Sequence, residues 1–175
     1  ILPLATEGAL GGGRRWRVAS MVPGRHPLRA LVNTLRTTIG FEEAPLESLL
    51  RSEPSSLARE LAQRLGNNLA LILFIDQLEE LVTIADPEEA RRVSEALGSL
   101  LTRTSNVRVL MTARSDFLGR VAMLEGIGAA VTSCLYILRP LGPERIRDVI
   151  VGPAHAKGVV FENPDVVNSL VESTA

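Results

Sequence analysis

Seven consecutive apolar residues, Leu69 to Ile75 (LALILFI), stop at an aspartate, Asp76. A strand with one solvated face alternates apolar and polar side chains, so an unbroken run predicts a strand covered on both faces. Parallel sheets with helices on either side bury their strands in this way. Parallel neighbours need crossover connections of a dozen or more residues, most often helical. This one segment therefore predicts an α/β chain in which strands and helices alternate.

The flanking sequence fits that prediction. Trp16 to Val22 (WRVASMV) reads as a strand closed by Pro23-Gly24. His26-Pro27 opens a helix with Leu28, Leu31, Val32, Leu35 and Ile39 at helical spacing and Gly40 as its stop. Residues 41–53 read as a weaker, partly helical connection. Ser52 or Glu53 starts a helix carrying Leu57, Leu61 and Leu65, ended by Gly66. After Asp76, the run Asp86-Pro87-Glu88-Glu89 is a helix start, with Asp as N-cap, Pro at the first position and acids at the positive end of the dipole. Ala90, Val93, Leu97, Leu100 and Leu101 form the buried face of that helix. Val107 to Thr112 (VRVLMT) is the next strand, and Ser115 or Asp116 is expected to cap a short helix through Phe117 and Val121. Cys134 to Leu138 (CLYIL) reads as a further strand, with Cys134 buried in it as a small hydrophobe.

Beyond that point the alternation stops. Pro143 to Lys157 and the stretch from Pro164 onward read as two helices in succession, with Gly142 and Asn163 at their N-caps and a kink at Gly152-Pro153. The expected organisation is an α/β core with a mostly parallel sheet over residues 1–139 and the start of a helical subdomain over 140–175. The chain stops within a helical pattern and opens on Ile1, and it reads as a piece of something longer.

Charge and cysteine content narrow the function classes. The formal net charge is −1, which gives no global field toward nucleic acid or an anionic membrane. Apolar runs fall far short of the roughly 20 residues that span a bilayer, and no signal-peptide pattern opens the chain. The single cysteine, Cys134, excludes an internal disulfide and fits a reducing cytosol, so a cytoplasmic location is expected. Lys157 is the only lysine among 19 basic residues. His26 and His155 have no partner at metal-ligand spacing and read as structural, and Phe41, Phe74, Phe117 and Phe161 read as core packing.

Asp76 is the strongest chemical signal. Ligands of open α/β sheets bind beyond the carboxyl ends of the strands. An apolar strand ending in Asp is the Walker B arrangement, in which a rigid backbone aims one carboxylate at a nucleotide-bound magnesium. The plain alternative is that an α/β strand simply happens to end in Asp. Gln77 occupies the position where many ATPases carry a glutamate base; it can orient water but accepts a proton poorly. Glu79 and Glu80 are candidates for that base, or an acidic pair at a helix start. Arg114 closes the VRVLMT strand and should emerge at the same sheet edge as Asp76, where a guanidinium can fork onto phosphate. Asp116 and Arg120 read as a helix cap and a salt bridge.

LILFIDQLEELVT resembles the Walker B segment of the STAND NTPases (signal transduction ATPases with numerous domains), in particular the bacterial novel STAND type, with Leu78 where an aromatic is usual. The likeness continues in order through WRVASMVPGRHPLRAL (Trp16–Leu31), RVLMTARSDFLGR (Arg108–Arg120) and LYILRPLGPERIRDVIVGPAHAKGVVFENP (Leu135–Pro164), and so covers nearly the whole chain. It implies a P-loop-type fold, ATP or ADP as ligand, magnesium held with the nucleotide by Asp76, and a sensor role for Arg114. It also implies effector and repeat domains in the same parent chain and a possible homo-oligomer as partners, while the charge balance and short apolar runs lead us to expect neither nucleic acid nor membrane.

The phosphate-binding loop itself is missing. Gly8 to Arg15 (GALGGGRR) spaces two glycines as G-x-x-x-x-G-K-[ST] does, but Arg14 and Arg15 replace the lysine and the hydroxyl residue, and a strand follows where a helix should. It reads as a flexible loop, and Ile1 to Ala9 as the tail of the helix after a P-loop lying upstream. These residues alone are therefore expected to hold no cofactor. The rival expectation is a non-enzymatic scaffold or oligomerisation module with a vestigial nucleotide site.

Overall fold

The computed structural model of the chain describes residues 14–103 and 106–174. The Gly8–Arg15 loop and the Ile1–Ala9 helix tail lie outside the described residues, save for Arg14 and Arg15. In chain order the elements are β1 (Arg15–Met21), α1 (Pro27–Ile39), α2 (Glu43–Ser52), a 3-10 turn (Pro54–Ser56), α3 (Leu57–Leu65), β2 (Leu69–Ile75), α4 (Glu80–Thr83), α5 (Pro87–Arg103), β3 (Val107–Met111), a second 3-10 turn (Ser115–Phe117), α6 (Leu118–Val121), α7 (Gly128–Ser133), α8 (Pro143–Ala156) and α9 (Pro164–Thr174).

The described sheet has three strands in the order β1-β2-β3, with both neighbour pairs parallel. The unbroken apolar strand takes the central place, as its composition requires. Leu71, Leu73 and Ile75 are wholly buried, as is Ala70 on the opposite face, where Ile72 is nearly so. Each fully buried aliphatic side chain contributes about 1.5–3 kcal/mol. Apolar stripes from α1, α2, α3 and α5 join the sheet in one continuous core. The fold class is α/β of the P-loop-NTPase type.

Local signals set most boundaries where expected. Gly40 stops α1 in the left-handed region (φ 80°), donating its N–H to Arg36 O. Asp86 Oδ1 accepts the N–H groups of Glu88 and Glu89 at 3.1 and 3.0 Å, making the expected N-cap of α5. Two boundaries differ. Residues 43–52 are a full helix rather than a loose connection, because Leu46 and Leu50 anchor one face of it in the core. The helix carrying Leu57 begins only there, since Pro54 interrupts what Ser52 would have started.

The larger correction concerns CLYIL. Residues 135–142 are irregular, and Cys134, which ends α7, is exposed. Tyr136 and Leu138 are 83% and 79% exposed. Apolar, β-prone composition supplies side chains for a strand, but a strand also needs an edge to pair with, and no described strand pairs with this one.

The chain divides into two compact units between Leu135 and Tyr136. The second unit is a pair of helices, α8 and α9, around a small core of Ile146, Val167 and Val171 with Ile150, Val151 and Phe161 against it. Asn163 Oδ1 accepts the Asp165 N–H at 2.9 Å, capping α9 as predicted. The α8 helix runs on through Pro153. No described helix is long and apolar enough to cross a membrane.

Candidate functional site

The site lies at the carboxyl edge of the sheet, where β2 and β3 end side by side. Because the two strands are parallel neighbours, Asp76 and Arg114 leave the sheet at the same edge. The end of β2 is held from both sides. The Asp76 N–H donates to Met21 O of β1 at 2.9 Å, and Ile75 O accepts the Thr112 N–H at 2.9 Å. One residue further, the Leu78 N–H donates to Thr112 O at 2.8 Å. Leu78 is 2% exposed, so the residue standing where an aromatic is usual fills an apolar place in the core.

Between these fixed points the chain turns sharply. Gln77 has φ 58°, and is the one non-glycine residue with positive φ among the described residues. Its N–H donates to Asp76 Oδ1 and to Thr112 Oγ1, both at 3.1 Å. The Thr112 hydroxyl donates to Asp76 Oδ1 at 2.5 Å. Asp76 Oδ2 has no hydrogen-bond partner among the described residues. Thr112 did not stand out in the sequence; the available signal was a polar residue closing an apolar strand one place along from β2.

Glu79 and Glu80 each reach a different neighbouring loop. Glu79, at 9% exposure, accepts the Arg114 N–H at 3.4 Å on Oε2. Glu80 Oε2 accepts the Gly24 N–H at 2.7 Å, in the turn after β1. The acidic pair thus ties the β2 loop to the loops after β1 and after β3.

The Arg114 guanidinium forks onto Asp116, Nε to Oδ1 at 3.1 Å and Nη2 to Oδ2 at 2.8 Å, and lies 5.6 Å from the centre of the Phe117 ring. The hydrogen bonds from Arg114 hold the Asp116 carboxyl below its ordinary value, and Asp116 raises Arg114 in turn. Both side chains are mostly exposed, so the pair is open to exchange with another ligand. Neither Ser115 nor Asp116 caps the short helix with its side chain, and Arg120 pairs with the Val82 carbonyl.

The donor set can be tested against magnesium. No cluster of three or more metal-ligating side chains exists among the described residues. A dedicated protein cage for a metal is therefore not what these residues build. Magnesium bound with a nucleotide needs less, commonly one or two carboxylates with phosphate and water completing the octahedron. Asp76, with one oxygen fixed and the other uncommitted, fits that requirement.

A family model for Novel STAND NTPase 1 matches residues 1–175. The chain belongs to this family. No curated protein and no solved structure gives a significant match. As a STAND NTPase module, the chain presents its unbroken apolar strand, Leu69–Ile75 followed by Asp76, at the centre of the described sheet.

Proposed function

We propose that this STAND module is the magnesium-side and γ-phosphate-side part of an ATP-dependent signalling switch. The observation that carries the reading is the shared edge: a carboxylate with a free oxygen and a forked guanidinium end adjacent parallel strands. A cation-binding group and an anion-binding group side by side suit a magnesium nucleotide better than either ion alone. Bound magnesium would neutralise phosphate charge. Asp76 holds the metal side, directly or through a metal-bound water. Arg114 exchanges Asp116 for the terminal phosphate and so reads ATP against ADP. Glu79 and Glu80 act as tethers, because backbone amides already occupy their carboxylates. Gln77 orients water rather than taking its proton. The sole lysine, Lys157, caps the end of α8 in the second unit, so this reading needs a phosphate cradle other than a Walker lysine of residues 1–175.

That missing cradle is also what favours a second reading, a scaffold module whose nucleotide site is vestigial. Asp76→Ala in the full natural protein separates the two. Under the switch reading, magnesium-dependent ATP binding and any hydrolysis are lost while the thermal transition stays near the wild type's. A wild-type protein that binds no nucleotide refutes the switch, and a variant that unfolds makes Asp76 a structural residue.

A further inference from the structure

The Thr112 hydroxyl sits between Asp76 and Gln77, and its hydrogen-bond polarity is fixed by its neighbours. A carboxylate oxygen can only accept and a backbone N–H can only donate. Thr112 therefore gives its single proton to Asp76 Oδ1 at 2.5 Å and receives the Gln77 N–H at 3.1 Å. The same Gln77 N–H also reaches Oδ1, at 3.1 Å. Oδ1 thus takes two donors, and the carboxylate is held in one orientation. Thr112 is itself fixed at the backbone on both sides, by its N–H to Ile75 O and by its C=O to the Leu78 N–H. A hydroxyl on a fixed backbone orients a carboxylate at little entropic cost, because threonine has few rotamers to lose.

We infer that Thr112 is the positioning residue for Asp76. It holds Oδ1 so that Oδ2 is the oxygen left to take a magnesium ion or a metal-bound water. The inference rests on the nucleotide reading above. It assigns a role to a residue that touches neither metal nor nucleotide in that reading. Partners that orient a metal-ligating carboxylate govern affinity for the metal more than they govern folding. Thr112 is exposed, so its replacement leaves the core untouched. Threonine and valine have nearly the same shape, and the hydroxyl is the difference that matters.

The test compares wild type, T112V, T112A and T112S in the full natural protein by calorimetric titration with ATP, once in EDTA and once across a magnesium series. Thermal melts of the nucleotide-free proteins serve as the folding check. T112V is expected to bind ATP in EDTA as wild type does. Its magnesium requirement for tight ATP binding should rise about 10- to 100-fold, the usual cost of losing a partner that orients a metal ligand. T112S keeps the hydroxyl and should behave as wild type. T112A removes the hydroxyl without the valine methyl and gives the answer should T112V fold poorly. An unchanged magnesium requirement in T112V and T112A overturns the assignment, as does T112S behaving like T112V. A lowered requirement would also overturn it, because the hydroxyl would then be competing with the metal for Oδ1. If wild type itself shows no gain in ATP affinity from magnesium, the nucleotide reading has failed and this role fails with it.

Discussion

Gln77 holds a left-handed backbone conformation that glycine would adopt without strain, and Gln77→Gly turns that into a measurement. A non-glycine residue there costs about 1–2 kcal/mol. Glycine loses more backbone freedom on folding, which takes back about 0.5–1 kcal/mol. The backbone N–H bonds to Asp76 and Thr112, and the carbonyl bond to the Glu80 N–H at 2.9 Å, survive the change. The side chain is exposed and makes no hydrogen bond among the described residues, so its removal costs nothing there. The net expectation is a variant as stable as wild type or more stable by up to about 1.5 kcal/mol, from the difference of these two terms. Urea unfolding followed by circular dichroism measures this directly. Under the proposed switch, in which this side chain orients water, nucleotide turnover in the full natural protein, measured alongside, should fall. A destabilisation above about 1 kcal/mol would mean that the side chain supports the fold and that the strain argument is wrong. Unchanged turnover with raised stability would leave the strained glutamine without a functional reason.

Three further outcomes follow from the same structure. Arg114→Ala should weaken ATP binding more than ADP binding, by roughly 5- to 150-fold, with Arg114→Lys recovering little because a point charge lacks the planar fork; paired titrations with the two nucleotides decide it, and equal losses reduce Arg114 to general electrostatics. Gly126→Ala should destabilise by several kcal/mol, on the order of 2–4, since Gly126 has φ 91° and a Cβ there would meet Ser94 O at 2.5 Å and Glu95 Cα at 2.9 Å; a chemical-unfolding midpoint equal to wild type's refutes it. Glu88 accepts hydrogen bonds from Arg91 and Arg92, which lower its carboxyl to about 2. A depressed folded-state value stabilises above the ordinary carboxylate range and fades as pH falls through it toward 2, so acid unfolding of Glu88→Gln should show a shallower pH dependence in that window than wild type does.

The sequence was most legible where one segment decides its own structure. LALILFI, the Asp86-Pro87 helix start and Gly40 each act within a turn or a strand, and each stands where it was placed. It was least legible where structure depends on a distant partner. CLYIL has the composition of a strand, yet lacks a described edge to join. The partners of Glu79 and Glu80 could not be read locally, because the amides that engage them lie 35 and 56 residues away. The bond between Thr112 and Asp76 spans 36 positions and exists because β3 pairs with β2 in one particular register, which no local pattern encodes. The resemblance to STAND NTPases supplied the family, and the strand ending in Asp76 the candidate edge, but neither gave the hydrogen bonds that organise it.

Those bonds bear on how a switch at this edge would work. The loop after β2 is joined to the loop after β1 through Glu80 and Gly24, and to the loop after β3 through Glu79, Leu78 and Thr112. A ligand that engaged Asp76 and Arg114 would therefore press on segments already linked to each other. Within that group the Arg114–Asp116 pair stands apart. Its partners are two residues apart and exposed, and it is not tied to the neighbouring loops through its guanidinium. Ion pairs of this kind exchange readily with solvent and other charges. A two-state element needs one contact that is readily exchanged and a surround that stays fixed, or differential binding would dissipate in local adjustment. Here the fixed part is the backbone and glutamate lattice around Asp76, and the exchangeable part is the guanidinium of Arg114. Under the proposed switch, nucleotide state is read where Arg114 changes partners, and Glu79, bonded to the backbone N–H of that same residue, carries the consequence to the loop after β2.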